Sequence, residues 1–306
     1  MTQNSRAQMR AVYGMQGRSG VRSRRIRRAR ERRRLTALLL TAVIVIFLFK
    51  IILPDHPDMT LDVVAAEVPE GVRAWPKASD LAQEQNQTEL NWVKENISMF
   101  DDVEEDRVIH NPGLTHFLYR YGNGNYESGA PVTIGTEELE YRIPLFLQWD
   151  ARWGYDSYGE TVIGLTGCGP ACVAMVVAGL KCDPEVNPRV MAERATQGDY
   201  YVPDTGTKWS FIPDAVSAFG LDARQIGTTG EEVAQELDEG RVLVFNMGPG
   251  RFTTAGHFIV VYGQSKEALW INDPNSLENS NRRWSWEELS GEVRAAWSFG
   301  TAGQAR

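Results

Sequence analysis

Cysteine and histidine are scarce, with three and four residues in 306. Three cysteines cannot build the disulfide framework of a small secreted domain, and an odd count leaves at least one thiol free in an oxidising compartment. No two cysteines stand two residues apart. The closest pair, Cys168 and Cys172, offers only two of the three or four ligands that zinc requires, so no metal and no cofactor is expected. Internal repeats, low-complexity tracts and a P-loop are missing as well, which excludes a repeat array and a P-loop ATPase. The first 34 residues lack lysine and nearly lack acid: they hold twelve arginines and one glutamate, a net of +11. The whole chain is −8, so everything after residue 34 carries −19. That acidic remainder disfavours nucleic acid as a partner.

One long hydrophobic run is present, Leu35 to Leu53, "LTALLLTAVIVIFLFKIIL". Nineteen helical residues span about 28 Å, the hydrocarbon thickness of a bilayer. Its single charge, Lys50, lies near the far end, where the stem can snorkel to the headgroups. The run is too long, and too far from the first residue, for a cleaved signal peptide. Arginine-rich flanks stay on the cytoplasmic side, so the reading is a cytoplasmic tail (1–34), a single transmembrane helix (35–53) and an extracellular remainder. The lipid bilayer is thereby an expected partner. A proline-punctuated linker (54–88) leads to a helical membrane-proximal segment (89–140) and a final domain (141–306). In that segment Leu90, Val93 and Ile97 share one helical face, and Leu114, Phe117 and Leu118 another after Pro112. The glycosylation patterns at Asn86 and Asn96 read as chance matches.

The chemistry concentrates in the last domain. "TGCGPACVAM" puts Cys168 just before a buried helix expected from Pro170 to Leu180, where backbone N–H groups and the helix dipole favour a thiolate. Cys172, one turn on among Val173, Met175 and Val176, reads as a small core residue. A Cys172–Cys182 disulfide would need the chain to fold back, because one helix carrying both holds them about 15 Å apart. Ninety residues later, "GHFIVVYGQSKEALWINDP" reads as a hairpin. With its turn centred on Ser265, His257 stands directly opposite Asp273, with Cβ atoms about 5 Å apart on one face. A carboxylate so placed fixes the imidazole tautomer and leaves the other ring nitrogen for a thiol. Gln148, in "IPLFLQWDARWGY", is an uncharged donor available for an oxyanion, beside the backbone N–H of Cys168. Six tryptophans, at 149, 153, 209, 270, 284 and 286, line either a cleft or the core. Helices first and an antiparallel sheet last make the fold α+β.

Together "IPLFLQWDARWGY", "TGCGPACVAM", "GPGRFTTAGHFIVVYG" and "INDPNS…NRRWSWEEL" resemble the C39-like cysteine peptidases of the papain-like superfamily. The resemblance runs from about Tyr141 to Phe299, and more weakly over Asn91 to Tyr121, as in membrane-anchored bacterial members. It implies a papain-like fold, with Cys168 as nucleophile, His257 as base, Asp273 as orienting acid and Gln148 as oxyanion donor. The expected activity is hydrolysis of peptide bonds in a peptide or protein substrate. Amide transfer by the same groups, and a non-catalytic peptide-binding module, are the alternatives.

Overall fold

A helix that is apolar on every side, and a sheet apolar on both faces, bury themselves only by stacking in layers. In the computed structural model, which describes residues 86–301 apart from 101, 102, 104, 133 and 140–142, those layers form. The arginine-rich tail, the hydrophobic run 35–53 and nearly all of the 54–88 linker lie outside the described residues. Among the described residues no helix is long and apolar enough to cross a membrane.

Three helices come first. Asn86 caps α1 (Gln87–Glu95) by accepting from the Thr88 and Glu89 N–H groups. After α2 (Glu105–Ile109), Asn111 caps α3 (Pro112–Gly122), with Pro112 at the first helical position. Leu90 and Val93 are buried on α1, and Leu114, Phe117 and Leu118 on α3. These side chains form an apolar cluster with Tyr155 and Val162 from beyond residue 141. Phe117 stacks on Tyr155 with ring centroids 4.7 Å apart, and a Cβ added at Gly164 would lie 2.2 Å from its ring.

A short α4 (Thr136–Leu139) and a hairpin, β1 (Ser157–Tyr158) with β2 (Thr161–Val162), lead through α5 (Ile163–Thr166) to α6 (Cys168–Lys181). Every residue of α6 from Gly169 to Ala178 is buried. The helix starts two residues before the expected Pro170, because first-turn N–H groups have no intrahelical acceptor and proline is tolerated throughout that turn. α7 (Pro188–Gln197) packs on it, followed by the hairpin β3 (Tyr201–Val202) with β4 (Gly206–Thr207) and by α8 (Phe211–Ser217). Then come β5 (Asp222–Ile226), α9 (Gly230–Asp238), β6 (Val242–Met247), β7 (His257–Gln264) and β8 (Leu269–Asn272). α10 (Leu277–Asn281), β9 (Arg283–Trp284), α11 (Trp286–Ser290) and β10 (Val293–Gly300) finish the described chain.

The main sheet has the order β5-β10-β6-β7-β8-β9, and each neighbouring pair is antiparallel. Val244, Phe258, Val260 and Trp297 belong to the cluster that holds α6, α7 and α8; Phe245, Ile259, Val261 and Ile271 belong to the one that holds α9 and Leu289. The fold is therefore α+β with an antiparallel sheet. Trp153, Trp270 and Trp284 are core residues, Trp149 and Trp286 are half-buried, and Trp209 is 49% exposed.

The β7–β8 hairpin departs from its expected register. Its turn is Lys266-Glu267, closed by the Ser265 N–H on the Ala268 carbonyl at 2.7 Å, with Gln264 opposite Leu269 and Gly263 opposite Trp270. Continued unbroken, that pairing would put Asp273 opposite Val260, on the face away from His257. A bulge at Tyr262 adds one residue to β7, so Val261 pairs with Ile271 and Val260 with Asn272. Carried one step further, that register would match Asp273 to Ile259, two residues from His257 and in phase with it. Asp273 itself lies just past β8, bridged to Ser276. Direct opposition of His257 and Asp273 is thus displaced by two positions, and an even displacement preserves the face.

Because Phe117 locks the first three helices to the rest, Phe117→Ala should lower the unfolding free energy by about 3 kcal/mol. A urea titration of the full-length protein should show this as a shift of one shared transition. Loss of the α1–α3 signal alone, with the remainder unmoved, would show that the two parts fold independently.

Candidate active site

Cys168 is the first residue of α6 and is half-buried. The turn before it is tight: a Cβ at Gly167 would stand 2.5 Å from the Ile163 carbonyl oxygen, and one at Gly169 would stand 2.6 Å from Thr207 Oγ1. Glycine is required at both by close approach of the neighbouring chain. Thr207 Oγ1 is in turn 2.7 Å from the Tyr158 hydroxyl, which fixes the wall behind the thiol.

His257 opens β7, paired with Met247, and is 5% exposed. Its Nε2 lies 2.7 Å from Asp273 Oδ1, and its side chain also hydrogen-bonds the Cys168 thiol. With Nε2 held by the carboxylate, Nδ1 is the nitrogen left for sulfur. Asp273 is 1% exposed and accepts two further hydrogen bonds, from the Asn275 N–H to Oδ1 and from Asn279 Nδ2 to Oδ2, both at 2.8 Å. Its own N–H donates to Ser280 Oγ at 2.8 Å. The structure therefore brings Cys168, His257 and Asp273 into one hydrogen-bonded row.

Gln148 is 2% exposed and sits beside the turn that leads to Cys168. Its Nε2 donates to the carbonyls of Gly164 (3.0 Å) and Leu165 (3.2 Å), and its Oε1 has no partner among the described residues. Its backbone N–H donates to the Pro274 carbonyl at 2.7 Å, and Asn272 Nδ2 donates to the carbonyls of Ile143 and Pro144. The segment carrying Gln148 is thus tied to the turn carrying Asp273. In this state the amide braces the cysteine turn with both hydrogens.

The electrostatics of the row follow from its partners. Burial opposes a charged Cys168, but the hydrogen bond and charge of His257, and the N–H groups of Phe258 and Gly169, outweigh it and hold the thiol below its ordinary pKa. Burial likewise opposes the imidazolium of His257, yet the Asp273 carboxylate and the thiolate lift it to about 9. Asp273 stays below the usual carboxylate range despite its burial, chiefly through the charge and hydrogen bond of His257. The lowered thiol and the raised imidazole both favour a thiolate–imidazolium pair, backed by the carboxylate. Cys172 differs: burial, and then the charges of Cys168 and Asp273, push its thiol well up. Cys182 is exposed at the far end of the same helix, in a left-handed conformation, and all three cysteines are free. A straight helix between Cys172 and Cys182 rules out a bridge.

Asn275, Asn279 and Ser280, which complete the shell of Asp273, were not singled out in the sequence. The signal was the polar run "NSLENSN" directly after a buried acid that needs donors. A cavity of about 530 Å³ between α9, the β7–β8 turn and Trp286 contains none of the four expected site residues. Among the described residues no group of three or more His, Cys, Asp or Glu side chains is disposed to hold a metal ion.

Brief treatment of the native protein with iodoacetamide should modify Cys168 before Cys172 or Cys182, read by peptide mass mapping. The pH dependence has a defined sign. The thiolate forms above a pKa lower than that of an ordinary thiol, and the imidazolium that accompanies it is lost near pH 9. Preferential labelling of Cys172 or Cys182 at neutral pH would contradict this geometry.

A family model described as "Peptidase_C39 like family" matches residues 141–298. Among solved structures, the peptidase domain of Streptococcus ComA, a bi-functional ABC transporter involved in a quorum-sensing pathway, is 22% identical. It aligns over 44% of this chain and 92% of its own, with a TM-score of 0.35. The same domain from Streptococcus mutans in complex with a small-molecule inhibitor gives 22%, 44%, 92% and 0.32. A double glycine motif protease from an AMS/PCAT transporter, in complex with its leader peptide, is 20% identical over 52% of this chain and 92% of its own, with a TM-score of 0.34. Among curated proteins no match was found. More than half of the sequence, including all four expected site residues, falls within the matched region, and the chain belongs to the C39-like peptidase family.

Proposed function

We propose that the chain is a membrane-anchored cysteine peptidase that hydrolyses peptide bonds outside the cell, with Cys168, His257 and Asp273 as its catalytic group. The observation that carries this reading is the buried row from thiol to imidazole to carboxylate, with His257 Nε2 2.7 Å from Asp273 Oδ1. The Cys168 thiolate attacks the scissile carbonyl carbon, forming a C–S bond and leaving negative charge on the oxygen. The imidazolium of His257 gives its proton to the leaving amine as the C–N bond breaks. Neutral His257 then takes a proton from water, whose oxygen attacks the thioester. The acid product departs and the thiolate–imidazolium pair is restored.

For the oxyanion, first-turn N–H groups of α6 are natural donors. In this reading Gln148 exchanges its longer bond, to the Leu165 carbonyl, for the substrate oxygen. The exchange is favourable because a charged acceptor makes a hydrogen bond roughly twice as strong as a neutral one. The anchor is the hydrophobic run 35–53. Orientation follows from twelve arginines before it and the acidic chain after it.

Full-length protein in detergent should cleave members of a peptide library, and both prior alkylation and Cys168→Ala should abolish that cleavage. Gln148→Ala should lower kcat about a hundredfold with little change in KM. Cleavage retained by Cys168→Ala would refute the assignment of the nucleophile. For orientation, protease added to intact cells or protoplasts should digest the C-terminal domain and spare a tag at Met1; loss of the tag with survival of the domain would reverse the topology.

A further inference from the structure

The turn that carries Asp273 is held in part from outside the region matched by the family model. Asn275 is its central residue: its N–H donates to Asp273 Oδ1, while its carbonyl accepts from Asn111 Nδ2 at 2.9 Å and from Trp149 Nε1 at 3.3 Å. Asn111 is 7% exposed, and its Oδ1 accepts from the Leu114 N–H as the cap of α3. One buried amide therefore spans from the start of α3 to the acid's turn. A nearly buried side chain bonded at both ends is held to a single orientation.

We infer that Asn111 is a positioning residue for Asp273, holding Asn275 so that its N–H and the carboxylate stay directed toward each other and toward His257. This rests on the reading of Cys168, His257 and Asp273 as the catalytic group. Asn111 itself touches none of the reacting atoms. Its effect passes through the turn: when Asn275 loosens, Asp273 loses a donor and its fixed distance to Nε2. The imidazolium is then less stabilised, and with it the thiolate.

The charged groups around this path are few. His257 faces Cys168 and Asp273. On its other side Asp273 borders a cavity of about 280 Å³, to which Arg107, His110, Arg251 and Glu278 contribute titratable side chains; Cys172 feels the charges of Cys168 and Asp273, and Tyr158 that of Cys168. Asn111, Asn275 and Trp149 are uncharged, so replacing Asn111 or Trp149 by a neutral residue alters none of those charges. A displaced titration then reports the hydrogen bond.

The test uses the full-length protein, with Cys168 alkylation by iodoacetamide followed against pH and peptide cleavage measured alongside. Asn111→Ser keeps a capping oxygen for α3 but is too short to reach the Asn275 carbonyl. It should move the acid limb of alkylation up by about half a pH unit and lower kcat about fivefold, with KM changed less than about twofold. Trp149→Phe, which removes the longer bond to the same carbonyl, should shift the limb in the same direction by less. Leu90→Ala, at the other end of the same apolar cluster, should lower Tm and leave the limb in place. If Asn111→Ser and Trp149→Phe lose Tm as Leu90→Ala does but titrate like the wild type, the residue is structural only and the inference is wrong. If Asn111→Ser does not fold, Trp149→Phe decides by the same readout. A wild-type Cys168 that titrates as an ordinary thiol would instead overturn the catalytic reading, and this inference with it.

Discussion

A carboxylate and an imidazole ring with almost no exposure to water set the terms for the rest of this molecule. Taking an isolated carboxylate out of water is so costly that a protein would sooner leave it protonated. Asp273 stays charged because three donors converge on it, from His257, Asn275 and Asn279. Each donor comes from a different local device: the first residue of a strand, a backbone amide two residues on, and a side chain in α10. Ser280 completes the arrangement by accepting the acid's own N–H and donating to the Ser276 carbonyl. The sequence from 273 to 280 is thus a cradle for one charge, and its polar character follows from that requirement.

The same pair explains the construction of the sheet and the central helix. β7 must deliver His257 at its first residue, on the face that Asp273 reaches, and the extra residue at Tyr262 makes the phase of the hairpin base compatible with that. α6 must deliver Cys168 at a helix start, where N–H groups are available and the dipole favours negative charge. Its ten consecutive buried residues fix that start between α7, α8 and the sheet. A thiol at the end of a helix without such packing would fray with the first turn. Precision at the thiol is therefore a property of the core, set by Val173, Val176 and Val177 as much as by the residues that touch sulfur.

Much of the site was legible because its members carry strong local signals. Cys168 stands between glycines before an apolar helix; His257 and Asp273 bracket two apolar runs. The exact register was not, since nothing in "VVYG" marks Tyr262 as the unpaired residue, and the face survived only because the displacement was even. Three strands of the main sheet went unread, the two-residue β9 and two longer ones. β5, "DARQI", is too polar to look like a strand alone and is ordered by pairing with β10. β10, "VRAAWSFG", mixes small and aromatic residues without alternation, because it is buried on both faces between β5 and β6. In both cases long-range pairing decides the conformation and local propensity does not.

Sequence similarity and burial draw the boundary of the functional unit in different places. The family match begins at residue 141 and contains every residue expected to react. Burial gives a longer unit. Phe117 lies against Gly164, whose carbonyl receives the Gln148 amide, and a Cβ at Gly113 would stand 2.3 Å from the Trp149 ring. Arg107 donates to the Phe252 carbonyl, five residues before His257. Helices α2 and α3 therefore bear on the elements that carry each expected site residue except Cys168, and they reach Cys168 through the turn that Gln148 braces. The candidate site is thus packed against a segment that the matched region does not contain, through backbone carbonyls at Asn275 and Phe252 and through side chains at Trp149 and Tyr155.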